Sequence, residues 1–170
     1  VLSWMERKNP QAVIEAFKKA FKGNENVGLV IKVSNSNYGK EDIEKLEQLK
    51  KDYKNIYLID GVLPKIEVNS LINCCDVFVS LHRAEGFGLG MAEAMYLGKP
   101  VIGTGWSGNT DYMRFDNSCL GKYKLIPLDV NYAKASAENQ FWADADTDDA
   151  AKYMRKLYED KEYYDEIAHK

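Results

Sequence analysis

Four short apolar runs punctuate the chain: VGLVIKV (27–33), NIYLID (55–60), DVFVSLH (76–82) and KPVIGTG (99–105). Each is rich in β-branched residues, and the second and third are apolar at odd and even positions alike. Such runs predict strands covered on both faces, as in a parallel sheet between layers of helix. Between them the apolar period becomes helical. NPQAVIEAFKKAF brings Val13, Ile14, Phe17 and Phe21 onto one stripe, with Pro10 in a first turn that needs no N–H from it. KEDIEKLEQLKKDY aligns Ile43, Leu46, Leu49 and Tyr53 opposite its charges, and PKIEVNSLINCCD opens again on proline. Gly98 is placed to stop a further helix before a Lys99-Pro100 turn into the fourth strand. Residues 115–143 have no clear period and predict irregular, turn-rich chain. DADTDDAAKYMRKLYED then resumes a helix with acids in its first turn, and EYYDEIAHK predicts a short last one.

Strands alternating with helices, joined by crossovers of a dozen residues or more, predict an α/β domain. Its core is a doubly wound, Rossmann-like parallel sheet with helices on both faces. In such sheets ligands bind beyond the carboxyl ends of the strands. The stretch EGFGLGMAEAMYLGKP (85–100) falls there, directly after the third strand.

Composition narrows the class. At 170 residues the chain is one domain, with 45 % apolar and 29 % charged residues, which reads as a globular domain. A net charge of −3 offers no electrostatic footprint for nucleic acid and no polybasic face for lipid. Cys74, Cys75 and Cys119 are too few and too irregular for a disulfide framework or a zinc site, so they read as small buried apolar residues in a reducing cytoplasm. Opening at Val1 without a methionine, the sequence reads as a fragment of something longer.

The loop before the fourth strand carries more glycine and carboxylate than a helix start requires. A helix N-terminus offers unpaired N–H groups and partial positive charge, and Gly86, Gly88 and Gly90 strip side chains from the approach. A phosphate or diphosphate is the obvious guest, although the spacing matches neither a P-loop nor G-x-G-x-x-G. Glu85 and Glu93 flank that cradle. Acids beside a phosphate make electrostatic sense only if each accepts from a hydroxyl, and a nucleotide sugar has hydroxyls on both sides of its diphosphate. Arg7 and Lys8, in MERKNPQA, are the best cations for the phosphates. Two cations at a helix start oppose the dipole, and an anion nearby would resolve that tension.

The segment SLHRAEGFGLGMAEAMYLGKPVIGTGWSGNTDYM resembles the donor-binding, C-terminal half of family 4 (group 1) glycosyltransferases, the retaining enzymes of GT-B fold. Its hallmark is Glu, seven residues, Glu, here Glu85 and Glu93, followed by a glycine-proline turn. ERKNPQAVIEAFKKAF and WADADTDDAAKYMRKLYED are similar to that family's opening and closing helices, so the likeness spans nearly the whole chain. The resemblance implies one donor-binding domain over residues 1–170, with a further N-terminal, acceptor-binding domain as its partner. Glu93 would accept from ribose hydroxyls, and Glu85 would face the transferred sugar. The backbone of Gly86, Phe87, Gly88 and Leu89 would hold sugar and diphosphate, and Lys8, with Arg7, would neutralise the leaving diphosphate. Gly61, Val62 and Leu63 would border the base, His82 would sit near the sugar, and Ser107, Gly108 and Asn109 would lie beside the cleft. Lys8 and Glu85 are the implied catalytic pair; no metal and no cofactor is implied, nor a membrane contact except through the further domain. Ser3 departs from the pattern, standing where many members carry arginine.

Other motifs fit less well. DADTDD contains D-x-D, a metal signature elsewhere, but at a helix start it fits capping better. A phosphoacceptor domain would need Asp60 at a strand end with a lysine-proline pair at another; Lys99-Pro100 instead precedes a strand. Ser107 in GWSGN lacks the first glycine of a nucleophile elbow. A non-catalytic nucleotide- or carbohydrate-binding module is the alternative.

Overall fold

A computed structural model describes residues 4–23, 26–34, 40–128 and 139–170. The expected order is present. Helices α1 (Trp4–Lys8) and α2 (Pro10–Phe21) precede strand β1 (Leu29–Val33), then come α3 (Lys40–Lys50), β2 (Ile56–Asp60), α4 (Lys65–Cys74) and β3 (Phe78–Ser80). Next follow α5 (Leu89–Tyr96), β4 (Val101–Thr104), a 3-10 turn (Gly108–Asp111), β5 (Cys119–Gly121), β6 (Tyr123–Pro127), β7 (Phe141–Ala145), α6 (Thr147–Glu159) and α7 (Lys161–Ala168).

Strands β1 and β2 pair in parallel, Leu29 opposite Ile56, and β3, β4 and β5 form a second parallel section in that order. β4 divides the molecule: Ile102 joins a core with Ile14, Phe17, Ala150 and Leu157 from α2 and α6, whereas Val101 faces Ile72, Met91 and Ala94 from α4 and α5. Cys119 and Leu120 of β5 repeat the alternation. Helices therefore cover both faces, as a doubly wound sheet requires. On one side Phe17 meets Phe21 with ring centres 5.1 Å apart, and Phe21 meets Tyr158 edge-on at 5.6 Å.

Four details differ from the sequence reading. The irregular stretch contains three strands: β5 extends the parallel section, and β6 and β7 pair antiparallel, Leu125 opposite Ala143. Two-sided burial belongs to β4 alone among the four expected strands, because β2 is an edge and a hollow separates β1 from β3. Cys74 is exposed at the end of α4, and of the three free thiols only Cys119 is buried. A further short helix precedes the expected one. Asn9 adopts a left-handed conformation (φ 51°) between the two, so Arg7 and Lys8 both precede α2 and close α1. Among the described residues no helix is long and apolar enough to cross a membrane.

Candidate donor-binding site

The loop 81–88 leaves the carboxyl end of β3 and enters α5 through Gly88, whose φ of 83° places it in the left-handed region. A Cβ there would also press on Met91 and Tyr112, so this glycine is dictated by the turn itself. The Tyr112 hydroxyl lies 2.9 Å from the carbonyls of both Phe87 and Gly88, and its ring lies tilted against that of Phe87 with centres 5.0 Å apart. Tyr112 went unnoticed in sequence, since nothing along the chain links it to the turn.

A second loop braces the first. The Glu85 N–H donates to Ser107 Oγ at 2.7 Å, and the Gly108 N–H donates to Glu85 O at 3.1 Å. Gly108 packs so closely that an added Cβ would sit 1.8 Å from Gly86 O. Asn109 is buried, with Nδ2 donating to Thr104 O at 2.9 Å and Oδ1 3.0 Å from His82 Nε2. Ser107 and Gly108 thus stand against the glycine turn, with Asn109 buried behind them.

His82 is fully buried, and both ring nitrogens are spoken for. Trp106 O and Asn109 Oδ1 surround Nε2, which must therefore carry the proton, while Nδ1 lies 3.1 Å from Ser80 Oγ and accepts from it. Burial holds its pKa below the usual value, outweighing the hydrogen bond to Trp106 and the nearby Glu85 charge. The ring is neutral and locked, so it shapes the loop and has no free nitrogen for a ligand.

Glu85 gathers the cations. Its carboxylate is only 8 % exposed; Lys8 Nζ donates to Oε1, and Arg7 Nη1 lies 3.2 Å from Oε2 and donates to Ala84 O at 3.0 Å. Burial alone would raise its pKa, but the Lys8 hydrogen bond and the charges of Lys8 and Arg7 hold it below the ordinary carboxylate range. The anion expected to relieve two cations just ahead of α2 is Glu85, and their own helix helps as well. Both close α1, where the dipole favours them.

Lys8, Gly90 and Glu93 line one hollow of about 540 Å³ that is walled mostly by apolar residues, among them Val30, Ile31, Ile72 and Phe78; Glu85 and residues 86–89 are not part of its lining. Glu93, on the second turn of α5, is ion-paired across this mouth to Lys65, the first residue of α4. Lys65 also escaped the sequence reading. Its signal was the one used for Arg7 and Lys8, a cation opposing the dipole at a helix start. Gly61 bridges the ends of β1 and β2 by donating to Val33 O at 3.2 Å, and Val62, Phe87 and Leu89 are exposed around the same carboxyl ends. Ser3 lies outside the described residues.

The discarded motifs take structural places. Asp146 caps α6, its Oδ1 accepting from the N–H groups of Asp148 and Asp149 at 3.0 Å each. Asp60 ends β2, while Lys99 precedes β4 and stands at the opposite end of its strand.

Comparison with known proteins follows the same lines. Residues 3–118 match the family described as Glycosyl transferases group 1. No curated protein matches the chain. Among solved structures, it superposes on HepE of Anabaena, crystallised with UDP and glucose, with a TM-score of 0.74 and 16 % identity. That match covers 95 % of this chain and 38 % of HepE, so the chain spans well under half of that relative. The C-terminal domain of the group 1 family protein LpcC from Francisella tularensis gives a TM-score of 0.67 and 23 % identity, covering 95 % of this chain and 74 % of that one. The pneumococcal O-GlcNAc transferase GtfA, in complex with UDP and GlcNAc, gives 0.62 and 18 %, covering 96 % and 30 %. At these identities the likeness establishes the fold.

Proposed function

The chain belongs to the group 1 glycosyl transferases, and from that membership we propose that it is the donor-binding, C-terminal half of a family 4, GT-B enzyme. The enzyme moves a sugar from a nucleotide-sugar to an acceptor with retention of configuration. One observation carries the reading: Lys8 is bonded to the buried Glu85 at the foot of the glycine turn and shares a hollow with Glu93. A cation linked to one acid and sharing a hollow with the other, beside a turn bare of side chains, supports a ligand with a diphosphate between two polyols.

In this reading the diphosphate lies on the turn from Gly86 to Leu89, against the first N–H groups of α5. Glu93 leaves Lys65 to accept from the ribose hydroxyls, and Glu85 turns an oxygen toward the sugar. The bond from anomeric carbon to phosphate oxygen breaks with its electron pair on the diphosphate, while an acceptor hydroxyl oxygen bonds to that carbon from the same face and its proton passes to the departing phosphate. Lys8, Arg7 and the helix end stabilise the charge that builds there, which lowers the barrier without a metal. His82 keeps Trp106 and Asn109 in place behind the loop. The acceptor is held by a further N-terminal domain, so this chain alone binds donor and is catalytically silent. Its free thiols suit the cytoplasm.

Calorimetric titration of the chain with UDP-, GDP- and ADP-sugars, wild type against Glu93→Gln, tests the reading. One of the three should bind the wild type and bind the variant about tenfold or more weakly, since a charged acceptor of hydroxyl groups is lost. Equal binding by both proteins, or none by the wild type, refutes it.

A further inference from the structure

Arg83 stands two residues before Glu85, and none of the roles above uses it. It meets three segments at once. Its main-chain N–H donates to Arg7 O at 2.8 Å, and its Nη1 donates to Glu6 O at 3.0 Å. Behind it, the Arg83 carbonyl accepts from Ala143 N–H at 3.0 Å, and Nη2 lies 3.5 Å from Asp144 Oδ1. The guanidinium carbon is 5.9 Å from the centre of the Trp142 ring. Its Nε is buried without a hydrogen-bond partner, a cost that only the contacts made by the rest of the group can offset.

The bonds to Glu6 and Arg7 matter because of where α1 ends. A five-residue helix is too short to hold itself, and its final carbonyls have no partners within it. Arg83 supplies two donors to those carbonyls, one of them charged. The residues that close α1 are Arg7 and Lys8, so the direction of this helix end decides where both cations point. A planar guanidinium is suited to this bridging geometry. One arm reaches Glu6 O while another faces Asp144, which an ammonium on a flexible stem cannot do at once.

We infer that Arg83 is a positioning residue. It clamps the end of α1 so that Arg7 and Lys8 face the anion received by the glycine turn, and β7 is the brace behind the clamp. This rests on the reading of Arg7 and Lys8 as diphosphate contacts.

The test is a double-mutant cycle on the chain, read by calorimetric affinity for whichever of UDP, GDP and ADP binds tightest. Arg83→Met is made in the wild type and in an Arg7→Gln/Lys8→Gln background, with a thermal denaturation curve for each protein. If Arg83 acts through the two cations, Arg83→Met weakens binding roughly tenfold in the wild type. In the Gln/Gln background it changes affinity less than twofold, because nothing charged is left to aim. Arg83→Lys, which keeps the charge on a single donor nitrogen, recovers part of the loss, and it carries the same comparison if Arg83→Met does not fold. Equal weakening in both backgrounds, or no weakening in either, overturns the positioning role alone. Wild-type affinity in the Gln/Gln protein, or no nucleotide bound by the wild type, instead overturns the diphosphate reading and the inference with it.

Discussion

Gly86 and Gly108 lie back to back in the site and should respond oppositely to the same change. An alanine Cβ at Gly108 would stand 1.8 Å from Gly86 O, 2.6 Å from Gly86 C and 3.2 Å from Glu85 O. Those are backbone atoms, so the loop itself must move, and the Gly108 N–H to Glu85 O bond is strained or lost. Overpacking of this kind costs about 1–3 kcal/mol. For a chain of this length that is a fall in Tm of roughly 3–10 °C. At Gly86 an added Cβ meets nothing within 4 Å, and the backbone is outside the left-handed region. Gly86→Ala should therefore keep Tm or raise it slightly, since it removes about 0.4–1 kcal/mol of unfolded-state freedom. The protein's own packing gives no reason for a glycine there. A ligand does: a methyl placed in the path of the donor should weaken nucleotide-sugar binding about tenfold, equivalent to about 1.4 kcal/mol. Differential scanning fluorimetry and calorimetric titration of both variants decide the matter. A stable Gly86→Ala protein that binds donor like the wild type would refute the idea that the turn is stripped for a ligand.

Three further outcomes follow. Lys8→Ala in the complete enzyme should lower kcat by about 2–4 kcal/mol of transition-state stabilisation while donor KM changes far less, and near-normal turnover would remove Lys8 from the mechanism. His82 has a folded pKa below its unfolded value of about 6.5, so it contributes stability that is complete above that pH and lost as pH falls toward the folded value. Urea denaturation from pH 8 to 5 should show this decline, and His82→Gln should flatten it; the same slope in both proteins would count against a locked neutral ring. Glu85, also depressed, adds a second loss below its ordinary value of 4.5. Asp146→Ala, which removes the α6 cap, should cost about 0.5–2 kcal/mol by thermal denaturation and leave donor affinity unchanged.

The strand and helix order was legible because Val13, Ile14, Phe17 and Phe21 could face only one way and the strand runs are short and rich in β-branched residues, whereas the two-sided burial expected of the second and third runs is found at β4. β5 was not legible, since the three residues of CLG are too few to show a period. β6 and β7 are half-exposed partners in an antiparallel ribbon, so burial imposes no apolar pattern on them. The start of α2 was legible from Pro10, but α1 was not, since five residues are too few to show a helical period. Within the site, the glycines and the two acids stood out as more than a helix start needs, although Gly88 proves necessary to the turn itself, and Arg7 and Lys8 stood out as cations before α2. Lys65 and Arg83 did not. Lys65 is 28 residues from Glu93, and Arg83 is 77 from Glu6, separations at which sequence alone gives no pairing.

A crystal structure of the chain with a bound nucleoside diphosphate is the most direct test of donor binding at this turn. The two phosphates should lie on the turn at Gly86–Leu89 with Lys8 Nζ within about 3 Å of a phosphate oxygen, and Glu93, released from Lys65, should accept from the ribose hydroxyls. Phosphates bound elsewhere, with Lys8 still closed on Glu85 and Glu93 still on Lys65, would contradict it.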